Sequence, residues 1–289
     1  SKARQAQSRL KALERMQLVG PVQREEEIRF DFPSPAHLPS PLVTLHRAAV
    51  GYDGRPVLRG LNLTISADDR IALLGANGAG KSTTVNMLAG VLRPDAGRIV
   101  WQGEDIAGLP AHRVLERGIA LVPEGRLIFP QMTVLENLMV GAHKSTRTGV
   151  LAAMLGTPQA RAELAASRAD AEQCARRFGL ESLLETRAGL LPAGQRRIVE
   201  LARACMGRPR VLLLDEPSSG LNSEEIEVLR RWIVALHRDG LTVFLVSHDM
   251  GLMTVCETVH VLYYGEIIAS GSLADVQDDP RVREAYLGV

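Results

Sequence analysis

The sequence predicts an α/β protein built on a mostly parallel sheet, and three observations predict it. Nearly continuous apolar runs at residues 71–74, 211–214 and 241–246 read as strands buried on both faces. Segments of helical periodicity or helix-favouring composition separate these runs, as βα alternation requires. Each run ends in small or chemically active residues: Gly75 after the first, Asp215-Glu216 after the second, Ser247-His248-Asp249 after the third. Open α/β sheets carry their ligand groups at such strand ends.

Taken in order, residues 1–20 place Ala3, Ala6, Leu10 and Leu13 on a short apolar seam flanked by Lys2, Arg4, Arg9, Lys11 and Arg15. This predicts a basic amphipathic helix, too short for a coiled coil. A solvated terminal helix is the plainer alternative. Pro33, Pro35, Pro39 and Pro41 then forbid helix and ladder pairing, so an extended linker closes a first unit at 1–41. The body spans 42–289. Strands are expected at 42–46 and 61–65, with 66–69 turning into the strand at 71–74. Tyr52 lies between them on an expected loop, placed either to stack on a base or simply to pack.

A helix is expected over 84–92, strands at 98–102 and 118–122, and a helix at 134–141. Residues 144–190 are rich in Ala, Arg, Glu and Leu, above all from 158 to 178, and are expected to be helical throughout. They read as a helical insertion in the α/β body. A helix at 196–205 precedes the strand at 211–214. Asn222 and Glu225 form an N-x-x-E cap, and Ile226, Leu229, Ile233 and Leu236 the buried stripe of the helix that follows. Strands at 241–246, 259–263 and 266–269 lead to short terminal helices.

Bulk properties limit the partners. A chain of 289 residues, 46% hydrophobic and 23% charged, can bury a substantial core. A formal net charge of +1 gives no global field for nucleic acid or anionic lipid. Cys174, Cys205 and Cys256 lack metal spacing and read as small apolar residues in a reducing compartment. No apolar run is long enough to span a bilayer and no secretory signal is present, so work at a membrane would need another polypeptide.

The chemistry starts at Gly75-Ala76-Asn77-Gly78-Ala79-Gly80-Lys81-Ser82-Thr83, which fits G-x-x-x-x-G-K-[ST] between an expected strand and an expected helix. The glycines let backbone N–H groups converge on phosphate oxygens at a helix N-terminus. Lys81 would reach the β- and γ-phosphates of a nucleoside triphosphate, and Ser82 would ligate Mg²⁺. Asp215 emerges at a strand end where it can hold the metal shell, and Glu216 beside it can activate water. His248, at the next strand end, can donate to the γ-phosphate or be a structural histidine. Leu191, Pro192, Ala193, Gly194 and Gln195 precede a helix and form a second anion-directed helix start. Two such starts suggest that the second acts on nucleotide held by another subunit.

The order of Tyr52, the loop 75–83, Glu124 in Val122-Pro123-Glu124-Gly125-Arg126, residues 191–195, Asp215-Glu216, Ser219-Gly220-Leu221-Asn222 and His248 resembles an ATP-binding cassette (ABC) ATPase over roughly 42–289. The resemblance implies a P-loop NTPase cassette with an antiparallel β subdomain and a helical subdomain inserted at about 131–209. It implies ATP and Mg²⁺ as cofactors, Tyr52 on the adenine, Glu216 as catalytic base, His248 as switch histidine, and Glu124 beside the metal. It also implies head-to-tail pairing with a second ABC ATPase subunit, identical or not, so that 191–195 of one chain faces ATP on the other.

From about residue 86 the sequence resembles the ATPase subunits of branched-chain amino-acid importers, through 122–138, 191–197 and 279–287. The first 85 or so residues instead resemble ABC-F proteins, through 1–16, Phe32-Pro33 and 51–58, so the chain reads as a mosaic. The expected role is to energise an importer, docked on membrane permease subunits through the surface around Glu124 and the helical insertion. The chain would then be cytoplasmic and peripheral at the inner face of the cell membrane. The alternative is an ABC-F-like fragment acting on the ribosome. Three positions depart from the general pattern: Glu124 where most cassettes carry Gln, Pro192 for Ser, and Asn222 for Asp. Pro192 removes a hydroxyl and an N–H, which predicts weaker cross-subunit closure.

Overall fold

A computed structural model describes residues 41–52, 54–125, 128–142 and 157–287. The basic helix and nearly all of the linker expected within 1–41 lie outside the described residues. The chain builds two sheets. The first, ordered β2-β1-β4-β5, is antiparallel throughout and comprises β1 (Val43–Tyr52), β2 (Arg55–Ile65), β4 (Ala96–Trp101) and β5 (Glu104–Asp105). The second, ordered β10-β9-β3-β8-β7-β6, comprises β3 (Arg70–Gly75), β6 (Ile119–Val122), β7 (Val211–Asp215), β8 (Thr242–Val246), β9 (Thr258–Tyr263) and β10 (Glu266–Gly271). Its strands run parallel except for the edge pair β9 and β10. The expected α/β class and mostly parallel sheet are therefore present.

Side-chain alternation on three central strands divides the interior into two cores. Ala72, Leu74, Leu212, Leu214, Val243 and Leu245 face one; Ile71, Leu73, Val211, Leu213, Phe244 and Val246 face the other. The second core is shared with the antiparallel sheet through residues such as Leu45, Leu58 and Ile99, and so clamps the two sheets together. Apolar residues on both faces explain why β7 and β8 read as continuous runs.

Helices fill the connections: α1 (Lys81–Leu88), α2 (Ala111–Arg117), α3 (Val134–Gly141), α4 (Pro158–Arg177), α5 (Ala193–Cys205), α6 (Ser223–Arg238), α7 (Met250–Met253), α8 (Leu273–Asp278) and α9 (Pro280–Leu287). Several expectations are corrected. Helix α1 starts three residues before the expected 84, because Gly80, at φ 106, turns the chain straight into it. Helix α5 starts at Ala193 instead of 196, with Pro192 at its N-cap. The expectation of helix throughout 144–190 fails after α4: Gly179, at φ 66, ends the helix, and two 3₁₀ turns at Glu181–Leu183 and Ala188–Leu190 follow. Residues 143–156 lie outside the described residues. Tyr52 is not on a loop but is the last residue of β1, since the hairpin pairing continues to Tyr52 opposite Arg55.

Helix α3 matches its expected span, and the reason lies in its first turn. Thr133 Oγ1 accepts the Glu136 N–H at 3.1 Å while Glu136 Oε2 accepts the Thr133 N–H at 2.8 Å. One turn on, the fully buried Asn137 side chain donates to Phe129 O at 3.0 Å and Thr133 O at 2.9 Å, and accepts the Phe129 N–H at 2.9 Å. It thereby ties the segment before α3 to the helix. Replacing Thr133 by Ala is expected to cost about 1 kcal/mol of stability. Urea unfolding of the two proteins checks this.

Candidate functional site

The carboxyl ends of the parallel strands form one edge. Leu73 and Asp215 both lie level with Val246 across β3, β8 and β7, and Val122 lies level with Leu214 on β6. Gly75, Glu124, Asp215-Glu216 and Ser247-His248 thus leave the sheet on the same side. The fold gathers residues that lie up to 173 positions apart (from 75 to 248).

Gly75 closes β3 and Lys81 opens α1. Between them the chain turns tightly, with Gly78 at φ 82 and Gly80 at φ 106. The two flanking glycines also have no room for a side chain. A Cβ on Gly75 would lie 2.7 Å from Leu262 O, and one on Gly80 2.6 Å from Leu58 Cδ2. Ala79 O accepts the Gly265 N–H at 3.1 Å, so the β9–β10 turn braces the loop from outside. Asn77 and Gly78 are exposed at its crest, while Ser82 and Thr83 stand half-buried in the first turn of α1.

Lys81 is only 7% exposed and folds back along this loop. Its Nζ donates to Gly75 O at 2.8 Å and Ala76 O at 3.3 Å, and lies 3.9 Å from Glu216 Oε1. The other Glu216 oxygen accepts a hydrogen bond of 2.7 Å from His248 Nδ1. Glu216 has φ 46, a left-handed backbone that costs a non-glycine residue of order 1 kcal/mol or more. Its N–H donates to Val246 O at 2.8 Å, which holds that conformation in place. The hydroxyls of Ser218 and Ser247 meet in the interior at 3.4 Å and tie the turn bearing Glu216 to the turn bearing His248.

Ser82 Oγ donates to Asp215 Oδ1 at 3.1 Å. Burial pushes the Asp215 carboxyl above its ordinary value; the Ser82 hydrogen bond opposes this, the charges of Glu124 and Glu216 add to it, and Lys81 counters. Glu124 is exposed, two residues beyond β6, and acts on Asp215 through its charge. A hydroxyl beside three carboxylates that outnumber the one nearby lysine is the donor chemistry of a hard divalent cation. Among the described residues no three His, Cys, Asp or Glu side chains form a metal cage. Mg²⁺ fits such a partial set, since it commonly completes its shell with phosphate oxygens and water.

The sequence-expected residues 191–195 lie elsewhere. Leu191 is buried, Pro192 caps α5 without a side-chain oxygen, and Ala193, Gly194 and Gln195 form the first turn. Among the described residues no hydrogen bond or ion pair joins 191–195 to the loop at 75–83. The Gly194 N–H instead donates to Glu225 Oε1 at 2.7 Å. Tyr52 is 50% exposed at the tip of the β1–β2 hairpin, whose Val57 and Leu58 pack on Gly80.

Sequence reasoning missed three contributors: Ser218 with Ser247, the Gly265 brace, and the reach of Glu225 beyond its own cap. A serine within three residues of each of these two strand ends, Ser218 after β7 and Ser247 after β8, was a signal for the first. Nothing in the sequence pairs Glu225 with Gly194. The cysteines are free and their thiols are silent: burial pushes Cys174 and Cys256 up to about 12 and Cys205 well above its ordinary value.

Comparison with known proteins follows the same outline. Residues 58–219 match the ABC transporter family, and residues 266–289 match the branched-chain amino acid ATP-binding cassette transporter family. The high-affinity branched-chain amino acid transport ATP-binding protein BraF of Pseudomonas aeruginosa is 34% identical over 250 residues, which cover 86% of this chain and 98% of BraF. The lipopolysaccharide export system ATP-binding protein LptB of Haemophilus influenzae is 36% identical over 248 residues, covering 86% and 97%. Among solved structures, a nucleotide-free ATP-binding cassette from an ABC transporter superposes with a TM-score of 0.76 at 25% identity, over 86% of this chain and all of that one.

Proposed function

The chain belongs to the ABC transporter family as an ATP-hydrolysing subunit, and from that premise we propose that it energises the uptake of branched-chain amino acids. The match of residues 266–289 to the branched-chain cassette family carries this choice, with BraF in support over nearly its whole length. No described helix is long and apolar enough to cross a membrane, so permease subunits would supply the pathway and hold the chain at the inner membrane face.

The loop 75–83 would cradle the triphosphate with backbone N–H groups, while Lys81 swings from its carbonyl contacts to the terminal phosphates. Ser82, Asp215 and Glu124 would hold Mg²⁺, which neutralises charge on the β- and γ-phosphates. Glu216 would accept the proton of the attacking water, and the His248 hydrogen bond would orient it. Among the described residues no hydrogen bond or ion pair joins 191–195 to the loop at 75–83, and the Gly194 N–H donates to Glu225 instead, which supports head-to-tail pairing with a second cassette. A groove of about 490 Å³ between α2, β6, α3 and α5, with Pro123 next in sequence to Glu124, is lined by Leu115, Pro123 and Val140 together with Glu116, Glu200 and Arg203. Its mixed walls, apolar at Leu115, Pro123 and Val140 and charged at Glu116, Glu200 and Arg203, and its position support it as the seat of a permease segment.

Tyr52 would stack on the adenine. Its replacement by Ala is expected to raise the KM for ATP about three- to tenfold with kcat little changed, as the loss of one aromatic stack implies. Steady-state ATPase assays check this.

The similarity to LptB favours a second reading, export of a lipopolysaccharide. The ribosomal alternative stands largely on residues 1–16 and the linker, outside the described residues. Reconstitution decides between them. With a branched-chain amino-acid permease in vesicles, ATP is expected to drive uptake of radiolabelled leucine. Failure to join that permease, with ATP-driven lipopolysaccharide extraction beside an export permease, would reverse the choice. Salt-sensitive sedimentation with ribosomes in place of either would restore the third.

A further inference from the structure

We propose that Glu225 is an internal competitor for the phosphate that a partner chain presents, a carboxylate seated on the Gly194 N–H that two chains must displace to close on ATP. The inference rests on the head-to-tail pairing proposed above and adds a residue that sets how readily pairing occurs.

Helix α5 lacks a cap from its own chain end, because Pro192 carries no side-chain oxygen. Glu225 supplies the missing acceptor from α6, 31 residues away. Oε1 takes the Gly194 N–H at 2.7 Å, Oε2 takes the Asn222 N–H at 3.0 Å, and Asn222 Oδ1 takes the Glu225 N–H at 2.9 Å. The approach is close: a Cβ at position 194 would lie 2.7 Å from Oε1 and 2.8 Å from Cγ, and the Glu225 side chain would have to shift to admit it. The two backbone donors, Asn222 first and Gly194 second, hold the Glu225 carboxyl below its ordinary value. Asn222 is part of this arrangement, since an aspartate there would set a second negative charge against Glu225.

A phosphate reaching for the first turn of α5 therefore meets a charge of its own sign on the donor it needs. It must evict Glu225, which can keep Asn222 and turn outward. Gln at 225 has one acceptor oxygen, which can keep the Asn222 N–H, and an NH2 that cannot accept from Gly194, so the exchange removes both the charge and the seat on the Gly194 N–H. A purely structural cap predicts that this exchange alters thermal stability without moving the ATP dependence of pairing.

The test uses the full chain with Glu216→Gln, which halts hydrolysis and lets paired chains accumulate. Sedimentation velocity across an ATP titration gives the concentration for half-pairing. Adding Glu225→Gln is expected to lower that concentration about two- to fivefold, the range for one charge at a helix N-terminus. Calorimetric affinity of the unpaired chain for ATP, measured at low protein concentration, is expected to stay the same. An unchanged or raised half-pairing concentration overturns the proposal. If both proteins bind ATP in the calorimeter yet never pair, the head-to-tail reading fails and takes the competitor role with it, a pattern distinct from pairing at an unaltered concentration.

Discussion

Glu216→Gln is expected to lower kcat for ATP about a thousandfold while leaving ATP affinity within a factor of about two, the scale on which a positioned general base contributes. Gln keeps the shape of the side chain and an oxygen that can accept the His248 Nδ1–H, so the 2.7 Å contact can survive. It cannot take a proton. The ion pair across 3.9 Å to Lys81 is lost as well, and Lys81 is then held only by the Gly75 and Ala76 carbonyls. Binding should not weaken, because the removed charge repels phosphate. Single-turnover hydrolysis and calorimetry separate the two effects. A variant that retains a tenth or more of normal turnover would remove Glu216 from the role of base. His248→Ala should then show a smaller loss, since it takes away an orienting group and leaves the base.

What the sequence revealed and what it hid follow from the range of the interactions involved. Strands β3, β7 and β8 were legible because both of their faces are buried, so apolar residues run on without alternation. Asp215-Glu216 and Ser247-His248 were legible as the first polar pairs after two of those runs. The loop at 75–83 announced itself through glycines whose backbone angles and lack of a Cβ the structure requires. The hidden part is of two kinds. Helix α2 buries only Val114 and left no periodic signature. Strands β1 and β2 extend well past their expected ends because the cross-strand ladder, rather than an apolar pattern, sustains them to the hairpin tip. The early start of α5 was obscured by Pro192 and Gly194, residues that disfavour a helix interior yet suit its first turn. The contact of Glu225 with Gly194 was beyond reach for a different reason. Both residues looked fully explained locally, one as a cap and the other as part of an anion-directed turn, and only packing of α6 on α5 joins them.

Lys81→Ala is expected to weaken ATP binding by a factor of about ten to a hundred, the loss of one or two charge-assisted hydrogen bonds to phosphate. The structure makes this substitution more informative than it would be at an exposed lysine. Lys81 is buried, and its ammonium is satisfied by two carbonyls of the loop that would bind the phosphates. Its removal therefore also frees the Gly75 and Ala76 oxygens and leaves Glu216 without a nearby cation. Any effect on affinity could then be blamed on a disturbed loop. Lys81→Arg answers this, because it keeps the charge and changes only its shape: the planar fork of a guanidinium does not fit the space of an ammonium folded along the loop. If the lysine binds phosphate directly, the Arg variant should recover part of the affinity lost in the Ala variant. If it only holds the loop in shape, the Arg variant should bind as poorly as Ala and melt at a lower temperature. Full ATP affinity in Lys81→Ala would mean that the loop is not the phosphate seat, and the roles assigned to Ser82, Asp215 and Glu216 would have to be abandoned with it.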